Sequence, residues 1–183
     1  MPDQLTTVHA FSGPPADPAP AGWGRVMVEI CAVLALFALG GALCGVLWQW
    51  WWEPADGVAS GGVWYTNEAG LREAFSGTAT YVVVALAGGL VLGALCAHLF
   101  HRAEVFTLVA VALGAGLAAW LMWQVGVQLG PGDPDELARV ADDGTRIPDD
   151  LSVTGRTPFA AFPVGALSGL AAVYLLLLDR RTR

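Results

Sequence analysis

A chain of 183 residues with 55% apolar and only 14% charged side chains departs from soluble domains, in which about a quarter of residues are charged. Its net charge of −7, with the acids gathered in loops and no basic patch, excludes nucleic-acid binding, and its length suits one compact unit. All nine basic residues are arginine and Ala, Gly and Pro are abundant, a composition that points to a GC-rich bacterial genome.

Residues 1–24 are polar and carry Pro2, Pro14, Pro15, Pro18 and Pro20. Such a stretch cannot bury enough apolar surface to offset the entropy of ordering, so a disordered cytoplasmic tail is expected. It reads as a plain tether, with the segment PPADPAP as a polyproline docking motif the alternative.

The run Ile30 to Trp52 follows, ICAVLALFALGGALCGVLWQWWW, without one charged residue. At about 1.5 Å per residue it crosses a hydrocarbon core of about 30 Å. It is too long for the apolar region of a signal peptide and ends in bulky tryptophans rather than small residues, so it reads as a retained span. The runs Ala74–His101, Val105–Gly132 and Thr157–Leu178 are likewise long and uncharged. The expected fold is an all-α integral membrane protein with four transmembrane helices. The spans fall at about 27–52, 79–100, 105–129 and 158–178, inside a transmembrane domain of residues 25–179, with a basic end at 180–183.

Each span carries small residues one turn apart: Gly41 and Gly45, Gly89 and Gly93, Ala112 and Gly116 with Gly126 and Gly130 after them, and Gly165 and Gly169. Such pairs let helix backbones approach closely in lipid and predict a tight bundle. The competing explanation is that Gly and Ala are simply common in such a genome.

Arginine marks one side of the spans: Arg25 before the first, Arg102 between the second and third, Arg180, Arg181 and Arg183 after the fourth. By the positive-inside rule both termini are cytoplasmic, and loops 53–78 and 130–157 face outward. Those loops are acidic, holding Glu53, Asp56, Glu68, Glu73, Asp133, Asp135, Glu136, Asp142, Asp143, Asp149 and Asp150.

In the first loop, a Pro/Gly stretch precedes Val63-Trp64-Tyr65, an aromatic patch that is strand-like or lies on the membrane. Asn67 can cap a short helix from Glu68 to Phe75, with Gly77 ending it. In the second, Asp133 as N-cap, Pro134 at N1 and Glu136 at N3 predict a helix over Pro134–Ala141, stopping near Gly144. Ile147–Thr157 reads as an extended return. The two halves form a faint repeat, which would set two parallel hairpins about a twofold axis along the membrane normal.

Chemistry is sparse. No ionisable residue lies in the middle of a span, where it would mark a transport path or proton relay. Glu29 near the edge of span 1 can pair with Arg25. Gln124 and Gln128 share a face of span 3, suited to interhelical hydrogen bonds or a polar vestibule. Cys96, His98, His101 and Glu104 cluster at one end of span 2, a conceivable metal set but more simply headgroup-level residues complementing a helix terminus. Cys31, Cys44 and Cys96 read as small packing residues. The loop acids do not follow a calcium-binding spacing, and no nucleophile or phosphate-binding motif is present. No catalytic, cofactor-binding or metal-binding residue is expected.

The order of four spans, Gly130-Pro131 with Asp133-Pro134 and Leu137-Ala138 after the third, an extended Leu151–Thr154 segment and Phe162-Pro163 entering the fourth resembles small actinobacterial membrane proteins of a domain-of-unknown-function family. The resemblance covers roughly Arg25–Leu178. It implies an envelope setting and a four-helix fold, and carries no activity.

The functional expectation is a non-enzymatic accessory or scaffolding subunit of a cell-envelope or membrane complex in a bacterial plasma membrane. The alternative is a small-molecule or lipid transporter acting as an oligomer. An enzyme ranks third and would need acids such as Asp133 or Asp135. The expected partners are the lipid bilayer and another membrane protein or a second copy. The expected contact surface is the aromatic rim of Trp48, Trp50, Trp51, Trp52, Trp64, Trp120 and Trp123, since aromatics anchor both lipid and protein.

Overall fold

The computed structural model describes residues 23–66, 68–100 and 104–182. In chain order it contains α1 (Trp23–Trp51), β1 (Asp56–Ser60), β2 (Val63–Tyr65), α2 (Glu68–Leu99), α3 (Glu104–Leu129), α4 (Pro134–Ala138), β3 (Arg146–Pro148), a 3-10 turn (Thr157–Ala160) and α5 (Ala161–Thr182). The four long helices are each long and apolar enough to cross a membrane. This is a mostly helical, multi-pass membrane protein.

Several boundaries move. α1 takes in Trp23 and Gly24, which the sequence placed in the tail; the rest of the tail and Asn67 lie outside the described residues. The expected short helix Glu68–Phe75 is instead the first part of one continuous α2. Gly77 does not end it. Its bare backbone lets Trp52 and Leu151 close against the helix, a packing gain that offsets the roughly 1 kcal/mol cost of a helical glycine. α4 keeps its Asp133 cap, whose carboxylate accepts the Asp135 N–H at 2.9 Å. It is shorter than expected because Val140 N–H turns back to Leu137 O. α5 runs on through residues 180–182, so the basic end is helical up to Thr182.

The helices pack as two parallel pairs, α1 with α3 and α2 with α5. Along α1 the inward stripe is Val33, Phe37, Gly41, Gly45, Trp48 and Trp52, at helical i+3 and i+4 steps and all buried. Gly41 lies on the backbone of Ala118 and Gly45 on that of Met122, while Gly114 receives Phe37 and Gly126 receives the Trp48 indole. The matched residues keep an almost constant spacing in sequence, so α1 and α3 run in register. In the other pair Gly89 and Gly93 lie on the backbone of Phe162 and Ala166, and Gly165 and Gly169 lie on that of Leu86 and Leu90. Six of the seven expected packing glycines therefore sit at helix crossings. Gly116 does not: its position faces outward, with nothing within 4 Å of a Cβ placed there.

The expected twofold axis is not present. A twofold relating the halves would put α1–α3 and α2–α5 on the two diagonals of the bundle. Both pairs are instead in backbone contact at one depth, where Gly40 and Cys44 of α1 meet Leu92 and Gly88 of α2. Four helices cannot all meet on one axis. Between the pairs lies an aromatic core in which Tyr81 stacks edge-on against Trp48 at 5.1 Å and Phe37 meets Phe162 at 6.3 Å. Tyr81 Oη also donates to Ala119 O at 2.9 Å, tying α2 to α3.

The two connecting loops form one cap. Its sheet has the order β2-β1-β3, antiparallel throughout. The β1–β2 hairpin turns at Gly61 and Gly62, with φ of +60° and +78°, the left-handed pair that a type I′ turn demands and glycine supplies without strain. β3 comes from the second loop, with Gly57 opposite Ile147, and Pro148 is tolerated because β3 is an edge strand. The Val63-Trp64-Tyr65 patch is thus a strand, and only Arg146–Pro148 of the second loop's return is one.

Candidate functional site

The aromatic rim is the sequence-derived candidate, and the fold divides it. Trp48 is fully buried, and its indole N–H donates to Gly77 O at 2.8 Å. Trp52 is 7% exposed. Neither can reach lipid or a partner, a correction to the expected contact set. Trp48 and Trp52 share the inward stripe of α1, one turn apart, whereas Trp50 is rotated by about 200° from Trp48 and points away.

Trp64 belongs to the cap. It lies over Gly57, where any side chain would meet the indole, and its N–H donates to Ile147 O at 3.1 Å. One side chain thus reaches from β2 across β1 to β3. With Ala59, Ala138, Ile147 and Ala141 it makes the cap's own small core. Trp123 is half-buried and packs on Phe159 at 6.1 Å.

Of the seven rim tryptophans three are outward: Trp50, Trp51 and Trp120, at 79%, 62% and 51% exposure. They do not form one rim. The α1–α3 register sets Ala118 level with Gly41 and Met122 level with Gly45, so Trp120 lies level with Leu43. That is seven residues below Trp50, a depth difference of about 10 Å. Trp50 and Trp51 sit at the cap end of α1, while Trp120 faces outward from within the apolar length of α3. The sequence signal for this was weak, because tryptophan content reveals depth poorly and facing not at all.

The two loops are bound firmly to each other, and Thr154 ties them to α2. Ala59 N–H donates to Thr145 O at 2.9 Å, Gly144 N–H to Ala59 O at 2.8 Å and Asp149 N–H to Ala55 O at 2.8 Å. Gly61 N–H donates to the Asp143 carboxylate at 2.7 Å, and Thr154 N–H to Thr78 Oγ1 at 3.1 Å. Leu151, fully buried, plugs the cap end of the bundle against Gly77 and Gly130. The Asp149 carboxyl is pushed above the usual carboxylate range, first by burial and then by the neighbouring Asp150 charge, against the lowering pull of the Asp150 N–H it accepts.

The other chemical candidates do not assemble. Cys96 is buried and His98 exposed, and His101 and the Glu104 side chain lie outside what is described. Among the described residues no group of three His, Cys, Asp or Glu side chains is placed to hold a metal. Cys31 is exposed, Cys44 half-buried, and all three cysteines are free. Gln124 is half-buried and Gln128 exposed; Glu29 is half-buried beside Thr107 and Ala110, and its expected partner Arg25 has no described side chain.

One hollow was not foreseen. Along the seam between α1 and α2, a groove of about 320 Å³ is lined by Gly40, Cys44, Leu47 and Trp51 on one wall and by Val83, Ala87 and Gly88 among others on the facing wall. Its only sequence trace is small residues at Gly40, Cys44 and Gly88. Compared with protein families, curated proteins and solved structures, the chain shows no match.

Proposed function

We propose that this chain is a non-enzymatic accessory or scaffolding subunit of a cell-envelope complex, set in a bacterial plasma membrane with both termini in the cytoplasm and the cap outside. The observation that carries the reading is Trp120. It is half exposed at a depth where lipid chains offer its indole N–H no acceptor, whereas a neighbouring helix offers backbone and side-chain oxygens. A buried tryptophan is also the commonest type of residue to dominate a protein contact. The glycine-sealed helix pairs supply a rigid platform for that face, and aromatic side chains fill the space between them.

The test is recovery of the tagged full chain from native membranes in mild detergent, read by mass spectrometry and native mass. A stoichiometric larger partner is expected, lost in Trp120→Ala while membrane level and thermal stability persist. Recovery unchanged by Trp120→Ala removes the reading. A homo-oligomer carrying a small molecule points to the transporter alternative instead.

A further inference from the structure

We propose that the groove between α1 and α2 is a binding site for one acyl chain of a bilayer lipid from the leaflet on the cap side. The proposal stands apart from the scaffold reading, since the groove and Trp120 lie on different helices and are tested separately.

The groove exists because α1 takes α3 and α2 takes α5 as close partners. The α1–α2 seam touches where Cys44 meets Gly88 and Gly40 meets Leu92. Small residues let the helices meet there, and the groove follows the exposed side of this contact from Gly40 to Trp51. No Asp, Glu, Lys, Arg or His lines it, so it suits hydrocarbon and not a polar solute.

Its dimensions select the occupant. From Gly40 to Trp51 the groove runs eleven residues, about 16 Å along the helix. That is half of a hydrocarbon core of about 30 Å, the depth of the chains of one leaflet. Spread over this length, about 320 Å³ gives a cross-section on the order of 20 Å², against roughly 80 Å² for a helix about 10 Å across. A partner helix is too wide to enter, while a single extended chain fits.

The groove is continuous with the lipid-facing surface that four spanning helices establish. Val83 and Val91 on its α2 side are 57% and 62% exposed. Trp51 stands at its mouth, 62% exposed, at the level where an indole meets headgroups. Lipid tails are as apolar as the lining, so a chain is held by contact rather than by transfer from water. Two packed walls give it close neighbours on both sides, which the open helix faces do not.

The test uses the full chain in nanodiscs containing a phospholipid with a photoreactive diazirine on its acyl chain, with adducts mapped by mass spectrometry. Label is expected to concentrate on Cys44, Leu47 and Ala87 over the more exposed Leu113 and Leu175 on other faces. In Ala87→Phe, which fills the groove from its open side, that enrichment is lost. Even labelling of all lipid-facing helices overturns the proposal, and the unaltered chain decides this whether or not the variant folds. A dimer by native mass with an unlabelled groove overturns it too, by giving the groove to a second copy.

Discussion

The two helix pairs reach close contact by different means. In α1–α3 the contacts are mixed: Phe37 and Trp48 of α1 fill the spaces at Gly114 and Gly126 of α3, while Gly41 and Gly45 of α1 lie on the main chain of Ala118 and Met122. In α2–α5 the glycines lie directly on the partner's main chain, Gly93 on Ala166 and Gly169 on Leu90. Where a side chain fills the gap, at Gly114 and Gly126, the first pair can adjust by moving it. The second has no such freedom, because a carbonyl held in a helix cannot step aside. Lipid gives helices no hydrophobic reason to associate, so this geometry is the main source of their pairing.

The difference can be broken at chosen positions. Gly93→Leu is expected to do most damage, about 3 kcal/mol or more, read as loss of the thermal transition in detergent. Gly114→Ala serves as its counterpart: the new methyl would meet the Cβ and ring of Phe37 at 3.1 Å, a contact relieved by a shift of a few tenths of an ångström. If the two variants unfold alike, the contrast between the pairs is wrong. Trp48→Phe keeps the aromatic bulk and deletes the hydrogen bond to Gly77 O. Gly77 O keeps its helical donor within α2, so the loss is one buried hydrogen bond, about 0.5–1.5 kcal/mol in the same melt.

Acidification sharpens the comparison, because neither pair has a charge at its crossing. Burial raises the Asp149 carboxyl above its ordinary range, so folding favours its protonated form. That contribution is present below the unfolded pKa and is lost as pH rises through the folded value. Asp149→Asn should therefore protect the cap slightly at neutral pH and not at acid pH, read by amide exchange at residues 55–60. The smallest effect belongs to Gly116→Leu, on an open face, with a shift within about 0.5 kcal/mol.

The four spans were legible because charge-free length is a one-dimensional property, and so was the Asp133 cap, because its geometry is local. The facing of each tryptophan was not. An aromatic girdle speaks to depth along the membrane normal, while burial of Trp48 and exposure of Trp50 depend on rotation about α1 and on which helix α1 selects. The joint sheet was hidden for a related reason: Gly57 finds Ile147 through a pairing made between two loops. The Gly61-Gly62 hairpin signal was present in the sequence, but it lay in a Pro/Gly-rich stretch that reads as irregular. Gly77 misled because a glycine that ends a helix and a glycine that admits a neighbour's indole are identical on paper.

The order of the sheet has a consequence for biogenesis. β1 is the central strand, yet one neighbour arrives from the same loop and the other only after α3 has been made. Until then β1 has an unpaired edge, and Trp64 lacks the Ile147 carbonyl. The same delay holds inside the membrane, where α1 waits for α3 and α2 for α5. A nascent chain that stops after its first hairpin thus displays an open strand and two uncovered glycine seams, so the arrival of α3 and α5 and closure of the molecule are one event.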